Sequence, residues 1–513
     1  MRIKLFLLCI TACFNITYVS SADINISRYG AIGDGKTVNT KAIQTAIDEC
    51  SKTGGGKVKF PEGVWVSGTI LLKDNVTLSL DQKAIFLGSE DISDYSIVDG
   101  FKDGTGQEMG YCFVGALDAK NVGIEGKGTI DGRGKAVLAS GGRARRPFLI
   151  RFVRCVDVSV KGVKMQASAA WTMHLFRCKG VKVQGLTIQS RGLANNDGID
   201  VDCCEDVSIK NCNIDSGDDG ICFKTTSPYP CKNIRVSDIT ISTNCAAIKM
   251  GTESAGNFEN ITVSDIHVVS AGLGAVKLLS VDGSNMKNIN ISNVSGDKVN
   301  VPIMIRLGGR LKTFRPQDVK QATGSIDNIK ISNVKIKHAT TGGILISGIP
   351  GHPVKGITLQ NININLEGGG SVEDAKIRFE EKIADYPEVR MFGKVFPSYG
   401  LFLRHAENII LKNIQFSTDK PDARPAVLAE DINQLVFSKW VLPASVSAEP
   451  VMRLASVKNA NFNKVTIPSE PALFFNVAGA DSKNIIIAAD LLSNDKNKIR
   501  TGIEVQNGAV IIK

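Results

Sequence analysis

A short recurring sequence pattern constrains the fold of this chain more than any other feature. Each copy has one small or apolar residue, two polar residues and then alternating apolar positions, as in CVDVSVKGV and CKNIRVSDI. The first six copies begin 23 to 28 residues apart. The copies start at Cys155, Cys178, Cys204, Cys231, Phe258, Met286, Ile326, Val354 and Ala406, with weaker ones at Ile432 and Val457. This period, with two-residue alternation inside each unit, is typical of a parallel β-helix.

Other repeat architectures do not fit the pattern. A helical-repeat solenoid needs 3.6-residue periodicity, and a propeller needs about four strands in a blade of roughly 40 residues. We therefore predict an all-β fold, a single-stranded parallel β-helix whose successive coils stack equivalent residues into ladders. The period stretches only at two places, which we interpret as insertion loops at about 310–323 and 371–397.

The first 22 residues have the pattern of a signal peptide. Two cations precede an apolar run from Leu5 to Phe14, and the small residues Ser20, Ser21 and Ala22 follow. The run is too short to span a bilayer, and no later stretch is long and apolar enough. We expect a secreted or periplasmic protein without a transmembrane segment. Lipid anchoring at Cys13, which ends a lipoprotein-like box, is the less favoured alternative.

One segment near the start, NTKAIQTAIDEC, is predicted to be a helix. Asn39 or Thr40 is placed to cap it, and its apolar residues share one face: Ala42, Ile43, Ala46, Ile47 and Cys50. Because an open coil end exposes unpaired strand edges, a short amphipathic helix is the expected N-terminal cap. Residues 23–513 are then one elongated domain, which we expect to be a monomer.

The cysteines fit the stacked coils. Cys155, Cys178, Cys204 and Cys231 occupy one repeat position and should be buried as small apolar residues. Export permits disulfides, but buried free thiols are the favoured interpretation. No Cys/His spacing suggests zinc, and we expect neither a metal nor a cofactor.

An unusual concentration of carboxylates marks residues 197–219. Asp197-Gly198-Ile199 and Asp219-Gly220-Ile221 match at a 22-residue offset, which predicts equivalent positions on adjacent coils. Asp218 precedes Asp219 and should project differently, so three carboxylates meet on one face. Carboxyl groups that share a site lose their protons at different pH values, so one can stay protonated while another is ionised. Glycosidic cleavage needs such a general acid and a base.

Basic residues recur beside these carboxylates. Lys224, Lys249, Lys277 and Arg306 end similar short segments at 25- to 29-residue spacing, which predicts a column of cations along the stack. Such cations would hold a carboxylated or sulfated sugar, although they could also simply neutralise the aspartates. The formal charge of +10 suits an acidic polymer but is weak evidence alone.

With these motifs, the chain resembles the polygalacturonase-type enzymes of glycoside hydrolase family 28. The resemblance begins at YGAIGDGKTVNTKAIQTAID, continues through GGGKVKFPEGVW, GKGTIDGRG and WTMHL, and reaches at least Ile414. It implies a right-handed parallel β-helix of the pectin lyase-like kind, a pectic substrate and an inverting mechanism. The family's Asn-x-Asp motif is matched by Asn195 and Asp197, and its Asp-Asp pair by Asp218 and Asp219.

The resemblance also implies roles for these residues. Asp218 would be the general acid, and Asp197 and Asp219 together would activate water. Asn195, the four cations and His174 of WTMHL are candidate substrate-binding residues. Histidines of this kind are individually more often structural than ligands.

The chain departs from the family at two positions. Cys245 stands where the family has the His of a Gly-His-Gly turn, and Ala275-Val276-Lys277 replaces Arg-Ile-Lys. We therefore expect altered substrate recognition, for example another uronic-acid linkage or a branched pectic side chain. The aromatic residues of the 371–397 insertion would wall one end of the groove and favour action on chain ends or oligosaccharides.

Two other functions remain open from the sequence. A polysaccharide lyase on the same fold would use a cationic base and often Ca²⁺, for which the aspartates would be ligands. A non-catalytic carbohydrate-binding β-helix would not need a packed trio of carboxylates. In each case the expected partner is a pectic polysaccharide or oligosaccharide, not a nucleic acid.

Overall fold

A computed structural model of the chain describes residues 22–492 and 495–513, and its strands wind into a right-handed parallel β-helix. The first strands are β1 Ala22–Asn25, β2 Asp34–Val38, β3 Gly56–Phe60, β4 Gly63–Ser67, β5 Ile70–Leu72, β6 Val76–Leu80, β7 Ala84–Gly88, β8 Ser96–Lys102, β9 Glu108–Leu117, β10 Lys120–Gly126, β11 Thr129–Asp131 and β12 Phe148–Val153. The central strands are β13 Val156–Lys161, β14 Lys164–Gln166, β15 Met173–Phe176, β16 Lys179–Gln184, β17 Thr187–Ser190, β18 Ile199–Asp202, β19 Glu205–Ser216, β20 Ile221–Thr225, β21 Cys231–Thr243, β22 Ala246–Ser254, β23 Phe258–Ala271 and β24 Gly274–Ser280. The last strands are β25 Asn285–Val299, β26 Ile303–Leu307, β27 Ser325–Ala339, β28 Ile344–Ser347, β29 Val354–Gly368, β30 Leu401–Lys420, β31 Val427–Val441, β32 Met452–Thr466, β33 Phe475–Ala478, β34 Lys483–Ile487, β35 Ile499–Thr501 and β36 Val510–Ile512.

The sequence repeat is the stack of coils, as predicted. One inward-facing position of each repeat pairs with its equivalent on the next coil along most of the stack. This ladder consists of Val158, Val181, Val207, Ile234, Ile261, Ile289, Ile329, Ile357, Ile409, Leu435, Ala460, Ile485 and Val510. Every one of these side chains but the last is buried. Stacking identical side-chain positions at the ~4.8 Å strand spacing therefore forms one continuous apolar core.

The N-terminal helix is confirmed, and Asn39 stands at its N-cap position but does not cap it through its side chain. Helix α1 spans Thr40–Lys52 and buries Ile43, Ala46, Ile47 and Cys50 against the first coils. The Asn39 side chain makes no capping hydrogen bond. It instead accepts from the Ile32 amide at 2.7 Å and donates to nearby carbonyls, because it is buried where the preceding loop must be held.

Several elements outside the repeat were not predicted. Helix α2 spans Gly134–Gly141, and short 3₁₀ turns lie at Ile26–Tyr29, Ile92–Asp94, Arg143–Arg145, Asp374–Lys376, Val389–Phe392, Ala489–Leu492 and Lys496–Lys498. Strands β8 and β9 pair antiparallel, unlike the other ladders of the described chain. The β8–β9 hairpin and the two long segments without strands, 308–324 and 369–400, contact β22 and β24 through Gly104, Arg310 and Glu388, respectively. These excursions cover the face that carries the predicted site.

The ten cysteines within the described residues are free, and nine of them are buried, which confirms the prediction of unpaired thiols. They are Cys50, Cys112, Cys155, Cys178, Cys203, Cys204, Cys212, Cys222, Cys231 and Cys245. Cys13 lies outside the described residues, as does the predicted signal segment except for Ala22. Where the structure describes the chain, no helix is long and apolar enough to cross a membrane.

Candidate active site

The predicted site lies on the outer face of one sheet of the β-helix. Strands β15, β18, β20, β22, β24 and β26 stack in parallel, and their alternate side chains point away from the apolar core. One outward ladder joins His174, Asp200, Cys222, Lys249 and Lys277 on successive coils. Titratable side chains are thereby placed about 4.8 Å apart along the stack, in the range in which charges shift one another's pKa.

The predicted column of four cations is wrong in its register. Lys249 and Lys277 are direct partners on adjacent strands, but Lys224 pairs with Asp202, two residues further along its strand. Arg306 is likewise offset, because its partner on the preceding coil is Leu279. The strand register pairs Lys249 with Cys222 and Lys277 with Met304, each two residues before the expected cation, which similar spacing in sequence could not reveal.

Asp197 and Asp219 lie on adjacent coils, as the 22-residue offset predicted. The Gly198 amide donates to the Asp219 carbonyl at 2.8 Å, and the two following strands pair Ile199 with Ile221. Both carboxylates are 2% exposed. Each aspartate lies two residues before a strand, so both carboxylates meet at the same edge of the sheet.

Asp218 and Asp219 have very different surroundings. The Lys249 ammonium donates to Asp219 Oδ2 at 2.7 Å, and the Ala246 amide donates to its Oδ1 at 3.0 Å. Asp218 is less buried and accepts two backbone amides, from Asp219 at 2.9 Å and Asn195 at 3.3 Å. Burial, followed by the Asp219 charge, raises the pKa of Asp218, and Lys249 only partly opposes this rise. One carboxylate is therefore paired with an ammonium, and its neighbour has a raised pKa.

A second carboxyl pair lies behind the first. Lys224 Nζ is 3.5 Å from an oxygen of Asp197 and 3.5 Å from one of Asp200. Burial and the neighbouring carboxylate charges raise the pKa of Asp200 to about 8 and that of Asp197 well above its usual range, and the Lys224 charge only partly opposes both rises. One ammonium cannot neutralise both acids together with Glu253, which is 3.3 Å from it. The pair therefore retains a proton at neutral pH.

Cys245 stands beside the two front carboxylates. An oxygen of Asp218, an oxygen of Asp219 and Cys245 Sγ lie within 4.8 Å of one another. Burial and both aspartate charges raise the pKa of this thiol, so it is neutral and uncharged where an imidazole would bring a basic nitrogen.

Asn195 is held by an arginine that the sequence analysis did not identify. Arg146 is buried, and it donates to Asn195 Oδ1 at 2.9 Å and to the Ala169 carbonyl at 3.3 Å. The charges of Asp197 and Asp218 both act on this guanidinium. The basic run GGRARRP before β12 was the available signal, but its place opposite the Asn-x-Asp motif depends on the fold.

His174 lies in the wall of the site and is fully buried. Its Nε2 is 3.1 Å from Asp202 Oδ2, and its Nδ1 contacts Arg151 Nη1. Burial, followed by the Arg151 charge, lowers the pKa of this imidazole to about 4. The rings of Phe101, Phe148 and Trp171 surround it. A neutral histidine enclosed by protein has no free face for a sugar, so the structure gives it a structural position.

The side chains of Lys277 and Arg306 form hydrogen bonds with residues of the 371–397 insertion. Lys277 is 0% exposed, and its ammonium donates to Glu388 Oε2 at 2.5 Å. Arg306 donates to the Glu381 carbonyl at 2.7 Å and to Ser347 Oγ at 2.7 Å. The structure therefore does not present these two cations to a substrate. Lys224 and Lys249 do lie at the carboxylates, where they neutralise buried acids.

The donor sets at the site do not fit a divalent cation. Two groups offer suitable atoms, Asp197 with Asp200 and Cys222, and Asp218 with Asp219 and Cys245. The positions beside them are taken by the ammonium groups of Lys224 and Lys249. Burial also raises the pKa of both thiols, and a protonated thiol is a poor metal ligand. This arrangement is unfavourable for a calcium-dependent lyase.

Comparisons with solved structures agree on the fold. The chain superposes on a family 28 exopolygalacturonase of Yersinia enterocolitica with a TM-score of 0.61 and 18% identity, over 95% of this chain and 79% of that one. An exopolygalacturonase of Thermotoga maritima gives a TM-score of 0.59 and 22% identity, over 76% of this chain and 92% of that one.

Sequence comparisons identify the family. A probable polygalacturonase of Vitis vinifera is 28% identical over 361 residues, 66% of this chain and 73% of that protein. An exo-poly-alpha-D-galacturonosidase of Dickeya chrysanthemi is 41% identical over 119 residues, 22% of this chain and 19% of that protein. The family model for glycosyl hydrolases family 28 matches residues 50–381. With this match across most of the coils and three carboxylates on one face of a parallel β-helix, the chain is a glycoside hydrolase that belongs to glycosyl hydrolases family 28.

Proposed function

We propose that this enzyme hydrolyses galacturonate linkages in polygalacturonate or its oligosaccharides, with inversion at the anomeric carbon. The observation that carries the proposal is the asymmetry of Asp218 and Asp219. The Lys249 ammonium donates to Asp219, whereas burial and the neighbouring Asp219 charge raise the pKa of Asp218. Hydrolysis by direct water attack requires one general acid and one general base, and we assign these roles to Asp218 and Asp219.

In the proposed mechanism, Asp218 gives its proton to the glycosidic oxygen as the bond to the anomeric carbon breaks. Asp219 accepts a proton from the water whose oxygen forms the new bond to that carbon. Asp197 orients this water, since within the described residues its Oδ1 has no hydrogen-bond partner. Asn195 positions the sugar next to Asp218, and Lys224 and Lys249 offset the negative charge of the acids and of the uronate.

The test is hydrolysis of polygalacturonate by the intact chain and by Asp218→Asn. We expect the variant to lose at least about 10²- to 10⁴-fold in kcat, the usual contribution of a general acid, while substrate binding largely survives. Proton NMR of the first released reducing end should show the inverted anomer. A retained anomer would contradict direct water attack, and an unsaturated product absorbing in the ultraviolet would indicate the lyase alternative.

We further infer that the enzyme acts at chain ends. The 371–397 insertion contributes Glu388, which binds Lys277, and Tyr386, whose phenol is near enough to Lys249 for the ammonium to affect its pKa. On the other side, the Gly104 amide in the β8–β9 hairpin donates to Glu253 at 2.7 Å. Segments that approach the carboxylates from two sides would restrict the groove, which favours binding of a chain end.

Product analysis distinguishes the two modes of action. End-on cleavage should release short products from the first turnovers, while the viscosity of a polygalacturonate solution falls slowly relative to new reducing ends. A rapid viscosity drop at an early stage would show internal cleavage.

We also propose that the protein is exported by its N-terminal segment and acts as a monomer. The apolar run before Ala22 supports export. Cell fractionation and the mass of the native protein by light scattering test the two statements separately.

A further inference from the structure

A second cleft lies at the opposite edge of the sheet that carries the carboxylates. Its volume is about 540 Å³, within the roughly 300–1,000 Å³ typical of ligand pockets. We call it the arginine cleft, because Arg154, Arg177 and Arg315 line it together with Tyr229, Gln317 and Asp318. The ends of β15 and β20 form one side of the cleft, and the 308–324 insertion forms the other.

Arg177 and Tyr229 form the accessible part of this cleft. The Arg177 guanidinium carbon lies 3.6 Å from the centroid of the Tyr229 ring, and the tyrosine is 47% exposed. Over the residues that the structure describes, the Arg177 side chain has no hydrogen bond or ion pair. The charges of Asp118 and Asp318 act on this guanidinium without bonding to it. Its donors lie in one plane, which matches a carboxylate, and the exposed ring suits the apolar face of a sugar.

The other charged groups leave the cleft attractive to anions. Asp99 forms ion pairs with Arg154 and Arg315, each with a nitrogen–oxygen distance of 2.9 Å. The nearby Asp318 oxygens are 3.3 and 3.5 Å from Ser227 Oγ, and burial raises the pKa of this carboxyl. Arg315 is more than nine-tenths buried, and two of its nitrogens have no hydrogen-bond partner among the described residues.

The arginine cleft is separate from the catalytic carboxylates. Asp219 lies two residues before β20 and Tyr229 four residues after it, at opposite ends of a five-residue strand about 17 Å long. Between them Phe101 packs against His174, and Arg315 lies 5.4 Å from the Phe101 ring centroid. A ligand in the cleft therefore cannot touch the reacting atoms.

From these observations we infer that the arginine cleft is a second, non-catalytic binding site for a uronate-containing oligosaccharide. Arg177 binds the sugar carboxylate, Tyr229 packs against a pyranose face, and Gln317 and Gln321 bond to hydroxyl groups at the rim. The site tethers one part of an acidic polymer while another part is cleaved. This inference rests on the proposed substrate class, but not on the assignment of the catalytic acid.

The test compares polymer binding and turnover in matched variants. Affinity electrophoresis in gels that contain polygalacturonate or a neutral galactan measures binding, in the Asp218→Asn background so that the polymer stays intact. We expect Arg177→Gln to raise the dissociation constant for polygalacturonate on the order of tenfold, the value of one charge-assisted contact. Arg177→Lys should retain part of the affinity. Arg235→Gln, an equal loss of charge at an exposed position on another sheet, should change little.

Turnover of a short substrate separates the two proposals. With an otherwise natural chain, Arg177→Gln should hydrolyse trigalacturonate at the unchanged rate. The inference is overturned if Arg177→Gln and Arg235→Gln bind polygalacturonate equally, or if Arg177→Gln loses galactan binding to the same degree. If instead the unsubstituted chain releases nothing from trigalacturonate or polygalacturonate, the proposed function fails, whatever the cleft binds.

Discussion

Replacing Glu388 by Gln leaves the Lys277 ammonium buried without its counter-charge. The two groups are 2.5 Å apart, Lys277 is fully buried, and Glu388 comes from the insertion that walls the site. At an effective dielectric constant of about 20, their attraction is roughly 7 kcal/mol before desolvation is counted. Measured losses on removing one partner of a buried pair are about 3–5 kcal/mol, so we expect Glu388→Gln to cost this much.

The cost should appear first as local opening of the insertion. Hydrogen exchange of the amides around Val389, whose N–H donates to Glu388, reports this opening free energy directly. Glu380→Gln is the matched control, because this exposed carboxylate on the same insertion is 3.8 Å from Lys382 and should cost less than about 1 kcal/mol. A double variant, Glu388→Gln with Lys277→Met, should recover much of the loss, since no buried charge remains.

The pH dependence of the Glu388→Gln variant follows from the same burial. Desolvation lowers the pKa of Lys277, so above that pKa the folded state holds fewer protons than the unfolded chain. Stability then rises as pH increases towards the ordinary lysine value, and the defect of Glu388→Gln should shrink at alkaline pH. The reasoning is refuted if Glu388→Gln costs no more than Glu380→Gln, or if the double variant is no better than the single one.

Three further predictions address the carboxylates. Arg146→Gln should lower kcat about 100-fold, because the loop carrying the Asn-x-Asp motif loses its anchor, whereas the exposed Arg145→Gln should leave kcat unchanged. Lys249→Met removes a charge that opposes the raised pKa of Asp218, so the alkaline limb of kcat/KM against pH, where the acid loses its proton, should move upward. Since the pKa of Asp200 is raised to about 8, the intact protein should lose stability as pH rises from about 4 to 8. Asp200→Asn should flatten this dependence in thermal melts at several pH values.

The sequence by itself determined the coils, the terminal helix and the meeting of the acids. Two-residue alternation and a regular period specify which side chains enter the core, because strands that bury one face tolerate no slip in register. For the same reason, the repeat at Asp197 and Asp219 was enough to place both acids at one sheet edge. The family motifs pointed to the same three aspartates, although their individual roles remain a proposal.

Only the tertiary structure decided which cations are free to act. Lys249 and Lys277 carry similar local sequence, yet one binds Asp219 and the other binds Glu388, 111 residues further along the chain. Arg146 reaches the site from a loop with no repeat to locate it. Insertions and hairpins have no period, so their packing depends on long-range contacts that local patterning does not encode. The position of the carboxylates could be predicted from the sequence because they belong to the repeat. The insertion residues and the side chains that bind around them do not belong to it, so their positions could not be predicted.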